Sequence, residues 1–149
     1  MPLDFFSAME VSASGLAAQR VRMNVSASNL ANVSTTQAAG GGPYQRRDVV
    51  LTSVPMANLP GQRLGPGAPG GVVQGVAVAQ IVPDAGEPRW EYDPGHPNAD
   101  ADGYVAYPNV NPVEEMVDMI TASRAYEAGV TTLTTAVNMA ERALGIGRG

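Results

Sequence analysis

The chain of 149 residues has no cysteine, which excludes disulfides and thiolate metal sites and leaves the redox compartment unconstrained. It has no lysine either; its nine basic residues are all arginine, set against 14 acidic ones for a net charge of -5. Arg46 and Arg47 form the only adjacent basic pair. Nucleic-acid binding needs a dense basic patch, so no nucleic-acid partner is expected. No stretch approaches the ~18 apolar residues of a spanning helix, so no direct membrane insertion is expected. Residues Met1 to Arg20 carry Asp4 and Glu10, without a basic n-region or a continuous apolar run. They do not read as a secretory signal, and any export should use a route that cleaves no signal peptide. Aromatic residues make up only 5%, while there are 17 glycines and 12 prolines. That balance is poor for a tightly packed enzyme core and suits a chain whose burial is completed by neighbours. The length supports one modest domain.

What is present divides into three regions: 1–36, 37–111 and 112–149. In the first, apolar residues recur at Phe6, Met9, Ala13, Leu16, Met23, Ala27 and Leu30. The steps alternate between three and four, interrupted at Arg20, and predict a helix to about Ala31. Asn29, Asn32 and the run Ser34, Thr35, Thr36 then favour leaving it, because short polar side chains compete for backbone hydrogen bonds.

In the middle region, Gly40 to Pro43 is punctuation. Tyr44 to Val54 and Val72 to Val82 are valine-rich strand candidates, with shorter ones at Trp90 to Tyr92 and Gly103 to Tyr107. Pro60 to Gly71 holds eight glycines or prolines and reads as a surface loop or long hairpin connection.

The third region carries the strongest pattern. Pro112 suits a first helical turn, and Glu114, Glu115 and Asp118 lie near the positive end of the helix dipole. Met116, Met119, Ser123, Tyr126, Val130, Leu133, Val137, Ala140 and Leu144 then form an unbroken heptad stripe. Gly145 and Gly147 supply the stop. Some 33 residues of helix would be about 50 Å long, longer than the compact diameter of such a chain, so the stripe must find partners beyond the small β region. The expected fold is α+β, with long N- and C-terminal helices packed as a coiled-coil-like pair and a small central β-rich domain. Leu16, Met23, Leu30, Met116, Met119, Tyr126, Val130, Leu133, Val137 and Leu144 are the expected subunit-packing residues. Helices of this kind depend on packing for stability, so the termini should order on assembly.

His96 with Asp93, Asp100 and Asp102 suggests a metal or hydrolytic site, and Asp100 to Gly103 is similar to part of a calcium loop. The later ligands of such a loop are absent, and Asp, Asn, Gly and Pro at this density make turns. A small metal-dependent hydrolase around Asp93 and His96 is therefore the distant alternative. His96 has no cysteine and no positioned serine to serve. The glycine-rich runs lack the Gly-Lys-Ser/Thr ending of a phosphate loop. No catalytic residue, cofactor or metal ligand is assigned, and the chain is not expected to be an enzyme.

Three motifs in order carry a resemblance. Asn29 to Thr36 (NLANVSTT), followed by Gly41 to Tyr44, resembles the N-terminal signature of flagellar rod and hook proteins. Tyr92 to Val105, running on to Pro108 to Pro112, resembles the proximal-rod member of that family. Ser123 to Glu127 (SRAYE) resembles the C-terminal helix signature of the axial proteins. The residues matching the signatures are Asn29, Asn32, Thr35, Thr36, Arg124, Tyr126 and Glu127. Gly129 departs from the pattern, standing where the family usually has asparagine. The resemblance implies a structural subunit of the bacterial flagellar proximal rod, a self-assembling motility protein of the basal body. It implies passage through the flagellar type III export apparatus and helical polymerisation across the periplasm, with further copies and other rod proteins as partners. Another axial rod or hook subunit is the near alternative.

Overall fold

The computed structural model describes residues 2–55 and 74–147; the expected loop Pro60 to Gly71 lies outside them. Two long helices, α1 (Pro2–Ala31) and α2 (Pro112–Ile146), enclose four strands in sequence: β1 (Arg47–Pro55), β2 (Gln74–Pro83), β3 (Arg89–Tyr92) and β4 (Tyr104–Tyr107). The fold is α+β, as expected from the sequence.

The helix ends have identifiable causes. Asn111 caps α2 from an extended conformation, its side chain accepting from the Val113 amide at 3.1 Å, with Pro112 in the first turn. Glu114 and Glu115 follow in that turn, where the helix dipole favours acids. The helix continues through Gly145, one of the two expected stop residues, and ends where the Gly147 amide bonds the Ala143 carbonyl at 3.2 Å. Helix α1 is followed directly by Asn32, whose amide group donates to the Ser28 carbonyl at 2.8 Å while its oxygen accepts from Thr35 Oγ1 at 3.1 Å.

The two helices pack against each other. Leu16 lies directly over Gly129, where a Cβ would meet Leu16 Cδ2 at 2.8 Å. The end of α1 lies near the start of α2, so the pair is antiparallel. Gly129, placed off the contact stripe by the sequence pattern, is thus a point of closest approach.

Helix α1 is the shared element, because it also packs against both strands of the β1–β2 hairpin. Ala18, Ser26 and Asn29 on it are buried. Seam residues alone understate this: α1 buries more than one narrow face. The hairpin is antiparallel, with Arg47 opposite Pro83 and Pro55 opposite Gln74, and its register shifts between Val50 and Leu51. It begins at Arg47, three residues later than the valine pattern suggests, because Tyr44 is held elsewhere, its amide bonding the Thr35 carbonyl at 3.0 Å.

A second ribbon pairs Arg89 with Tyr107 and Tyr92 with Tyr104. Beneath it Val105, Pro108 and Val110 are buried. Gly103 turns the connection at φ +83°, and a side chain there would also strike the Tyr92 ring.

Candidate assembly interface

The polar centre of the molecule lies where the end of α1, the start of β1 and the start of α2 meet. Asn29 is almost fully buried. Its Nδ2 donates to the Arg47 carbonyl at 2.8 Å, and its Oδ1 accepts from the Arg47 amide at 3.0 Å and from the Tyr44 hydroxyl at 2.9 Å. The side chain therefore acts as a surrogate strand partner for β1. This satisfies backbone groups that would be costly to leave unpaired. Another signature residue, Thr36, accepts from Asn98 Nδ2 at 2.9 Å, tying the segment after α1 to the β3–β4 connection.

Arg46, adjacent to this clamp, points the other way. Its Nε donates to Glu115 Oε1 at 2.7 Å, and Asp48, Asp84 and Asp118 lie 3.7–4.0 Å from its guanidinium nitrogens. Glu115 is completely buried, and its second carboxylate oxygen has no hydrogen-bond partner among the described residues. Burial alone would lower the Arg46 pKa; the Glu115 hydrogen bond and the charges of Glu115, Asp48 and Asp84 outweigh it and raise it above the ordinary value. Sequence reading took Glu115 for a dipole-facing acid and did not pair it, since its partner is 69 residues away.

Apart from the Asn98–Thr36 bond, side chains of the Asp93–Tyr104 connection bond within it. Asp93 Oδ1 accepts from the Gly95 amide at 3.2 Å, His96 Nδ1 from Asn98 at 3.1 Å, and Asp100 Oδ1 from Asp102 and Tyr104 at 3.0 and 2.8 Å. These are turn-forming bonds of short polar side chains to nearby amides.

The expected packing residues divide between two faces. Leu16, Met23 and Leu30 on α1, and Met119, Tyr126, Leu133 and Val137 on α2, are half-buried. Ala122 and Gly129 lie on the inward side of α2, with Ala122 buried. Met116, Val130 and Leu144 are exposed, as are Val113, Val117, Ile120, Met139 and Ile146. Val113, Met116, Val117 and Ile120 have the i, i+3, i+4, i+7 spacing of one helical face. This face near the start of α2 is apolar, continuous and exposed among the described residues. Farther along, the hydroxyls of Thr131, Thr132, Thr134 and Thr135 each donate to the carbonyl four residues back at 2.9 Å. Those hydroxyls are satisfied within the helix. Arg20, Arg124 and Glu127 are exposed, and Arg124 and Glu127 form no ion pair with each other.

An α1–α2 pair with an uncovered apolar face, joined to a hairpin by a signature asparagine, describes an assembling structural subunit. Residues 9–38 match the family "Flagella basal body rod protein", and residues 101–146 match "Flagellar basal body rod FlgEFG protein C-terminal". Among curated proteins, the flagellar basal-body rod protein FlgC of Borreliella burgdorferi is 44% identical, with 99% of this chain and 100% of that protein covered. The FlgC proteins of Bacillus subtilis and Salmonella typhimurium are 43% and 39% identical, covering 96% and 93% of this chain and 98% and 95% of theirs. The chain belongs to the FlgC family of flagellar basal-body rod proteins. It is a structural rod subunit of the flagellar basal body and not an enzyme. Among the described residues no helix is long and apolar enough to cross a membrane.

Proposed function

We propose that this subunit polymerises helically in the proximal part of the rod, the periplasmic shaft that carries torque outward. Its partners are further copies of itself and other rod proteins, and it reaches the periplasm through the flagellar type III export apparatus. The observation that carries the reading is the uncovered apolar face of α2. Val113, Met116, Val117 and Ile120 lie together on a helix already packed against α1 through its other side. Exposing these side chains forgoes about 1.5–3 kcal/mol for each one that a neighbour could bury. Repeated head-to-tail contacts of this type do not close and so generate a helical filament. Val130 and Leu144 are further exposed apolar side chains on α2, while Leu16, Met23, Leu30, Met119, Tyr126, Leu133 and Val137 hold the helix pair that presents the face. Arg124, on the exposed side with Glu127, faces away from the fold and is available to a neighbour.

Electron cryotomography of basal bodies in a deletion strain tests this. The expected result is a rod that fails to extend beyond the inner-membrane ring, restored by the wild-type chain and not by Val130→Asp. A normal rod and hook in the deletion strain would refute it.

A further inference from the structure

The β3–β4 ribbon carries an aromatic face that the fold leaves open. Strand alternation puts Trp90 and Tyr92 on one side, and the register sets Ala106 and Tyr104 opposite them. The other side holds the buried Val105. Trp90, Tyr92 and Tyr104 are 59%, 64% and 45% exposed, and the two tyrosine rings meet edge to face at 5.3 Å. A concavity of about 330 Å³ adjoins them, lined in part by Trp90, Tyr104, Asp100, Thr36 and Pro43.

We infer that this face docks the proline-rich segment 56–73 of a neighbouring copy, an inference that rests on the polymerising reading above. Chemistry, charge and placement support it. The segment has prolines at 60, 66 and 69 and leucines at 59 and 64. Aromatic-lined grooves accept proline-rich chains, which lose little conformational entropy on binding. Arg63 is the segment's single charge, whereas residues 93–103 hold Asp93, Asp100 and Asp102 and neither arginine nor lysine.

Placement favours a neighbour over the segment's own ribbon. The segment leaves and re-enters the fold at Pro55 and Gln74, which pair with each other. At that end of the hairpin the Val76 amide bonds Ser14 Oγ. The ribbon lies at the other end, beyond Asn29, where Asn98 bonds Thr36. Ser14 and Asn29 alone are about 22 Å apart along α1. A chain anchored at both ends reaches out by only half its contour, about 30 Å for this segment. It would need near-full extension to reach its own ribbon, whereas a head-to-tail stack brings the segment end of one copy to the ribbon end of the next. Such a contact repeats without closing.

The absence of cysteine makes the test clean. Leu64→Cys and Tyr104→Cys are combined in one chain, and basal bodies from the complemented strain are oxidised and run without reductant. Multimers of the chain that need both cysteines are expected. Rods that contain the chain but yield only an intramolecular bond, or none, would overturn the docking and leave the rod-subunit reading intact. Rods without the chain would overturn both. Should the double variant not assemble, a second measurement decides. Titrating a peptide of residues 56–73 into the purified full chain should shift Trp90 emission to shorter wavelength, saturably. Asp100→Asn, which keeps the oxygen that accepts the Asp102 and Tyr104 amides, should weaken binding several-fold. No shift, or an equal shift with a scrambled peptide, would overturn the inference.

Discussion

The junction at Asn29, Arg46 and Glu115 and the outer face of α2 solve opposite problems. At the junction, buried polar groups are paired within the chain: Asn29 with Arg47 and Tyr44, Arg46 with Glu115. On the outer face, apolar side chains at Val113, Met116, Val117 and Ile120 stay exposed among the described residues. The contrast separates what the subunit fixes for itself from what it leaves to its neighbours. The junction sets how the hairpin is held against the helices, and the outer face supplies area for assembly. Substitutions should therefore sort into two groups, with large effects on the isolated chain at the junction and small ones on the face.

The largest effect belongs to Arg46→Met, which leaves the buried Glu115 carboxylate uncompensated. A loss of about 3–5 kcal/mol is expected from urea unfolding of the purified chain. The double variant Arg46→Met with Glu115→Leu should recover most of it, because apolar replacements of a buried ion pair are often near neutral. Full persistence of the loss in the double variant would show that the pair holds the junction by more than charge. Next comes Asn29→Ala, which strands the Arg47 amide and carbonyl together. About 2–3 kcal/mol is expected by the same measurement, with shortened amide-exchange protection at the start of β1. Asn29→Asp should also destabilise, since a carboxylate cannot donate to the Arg47 carbonyl.

Smaller effects mark the helix pair. Asn111→Ala removes the α2 cap and should cost about 1 kcal/mol. At Gly129, alanine gains about 1 kcal/mol of helix propensity but presses on the flexible end of Leu16. The net change in unfolding midpoint should be near zero. Gly129→Leu overfills the same contact and should cost about 1–3 kcal/mol; an unchanged midpoint there would mean that the helices do not meet at this point.

Much of this was legible in the sequence, for local reasons. The α1 pattern, the Asn111-Pro112 start of α2 and the valine-rich hairpin strands are short-range signals, and each marks an element that forms. The sequence pattern assigns both Asn29 and Asn32 to the turn leaving α1. Asn32 does that, whereas Asn29 instead reaches across to β1. The heptad stripe of α2 located the helix and its apolar character but not which flank of the stripe meets α1. Small residues such as Ala122 and Gly129 carry little hydropathy, yet they permit the close approach. The Arg46–Glu115 pair had no local signature, because neither position looks unusual until the fold brings the two together.

The central claim is that the outer face of α2 serves assembly and not the fold of the subunit. Ile120→Asp tests it most directly, by urea unfolding of the purified chain together with cryotomography of the complemented deletion strain. The account predicts an unfolding free energy within about 0.5 kcal/mol of the parent, as for surface substitutions generally, and no rod beyond the inner-membrane ring. A complete rod in that strain would contradict it, as would a chain destabilised as strongly as by Asn29→Ala.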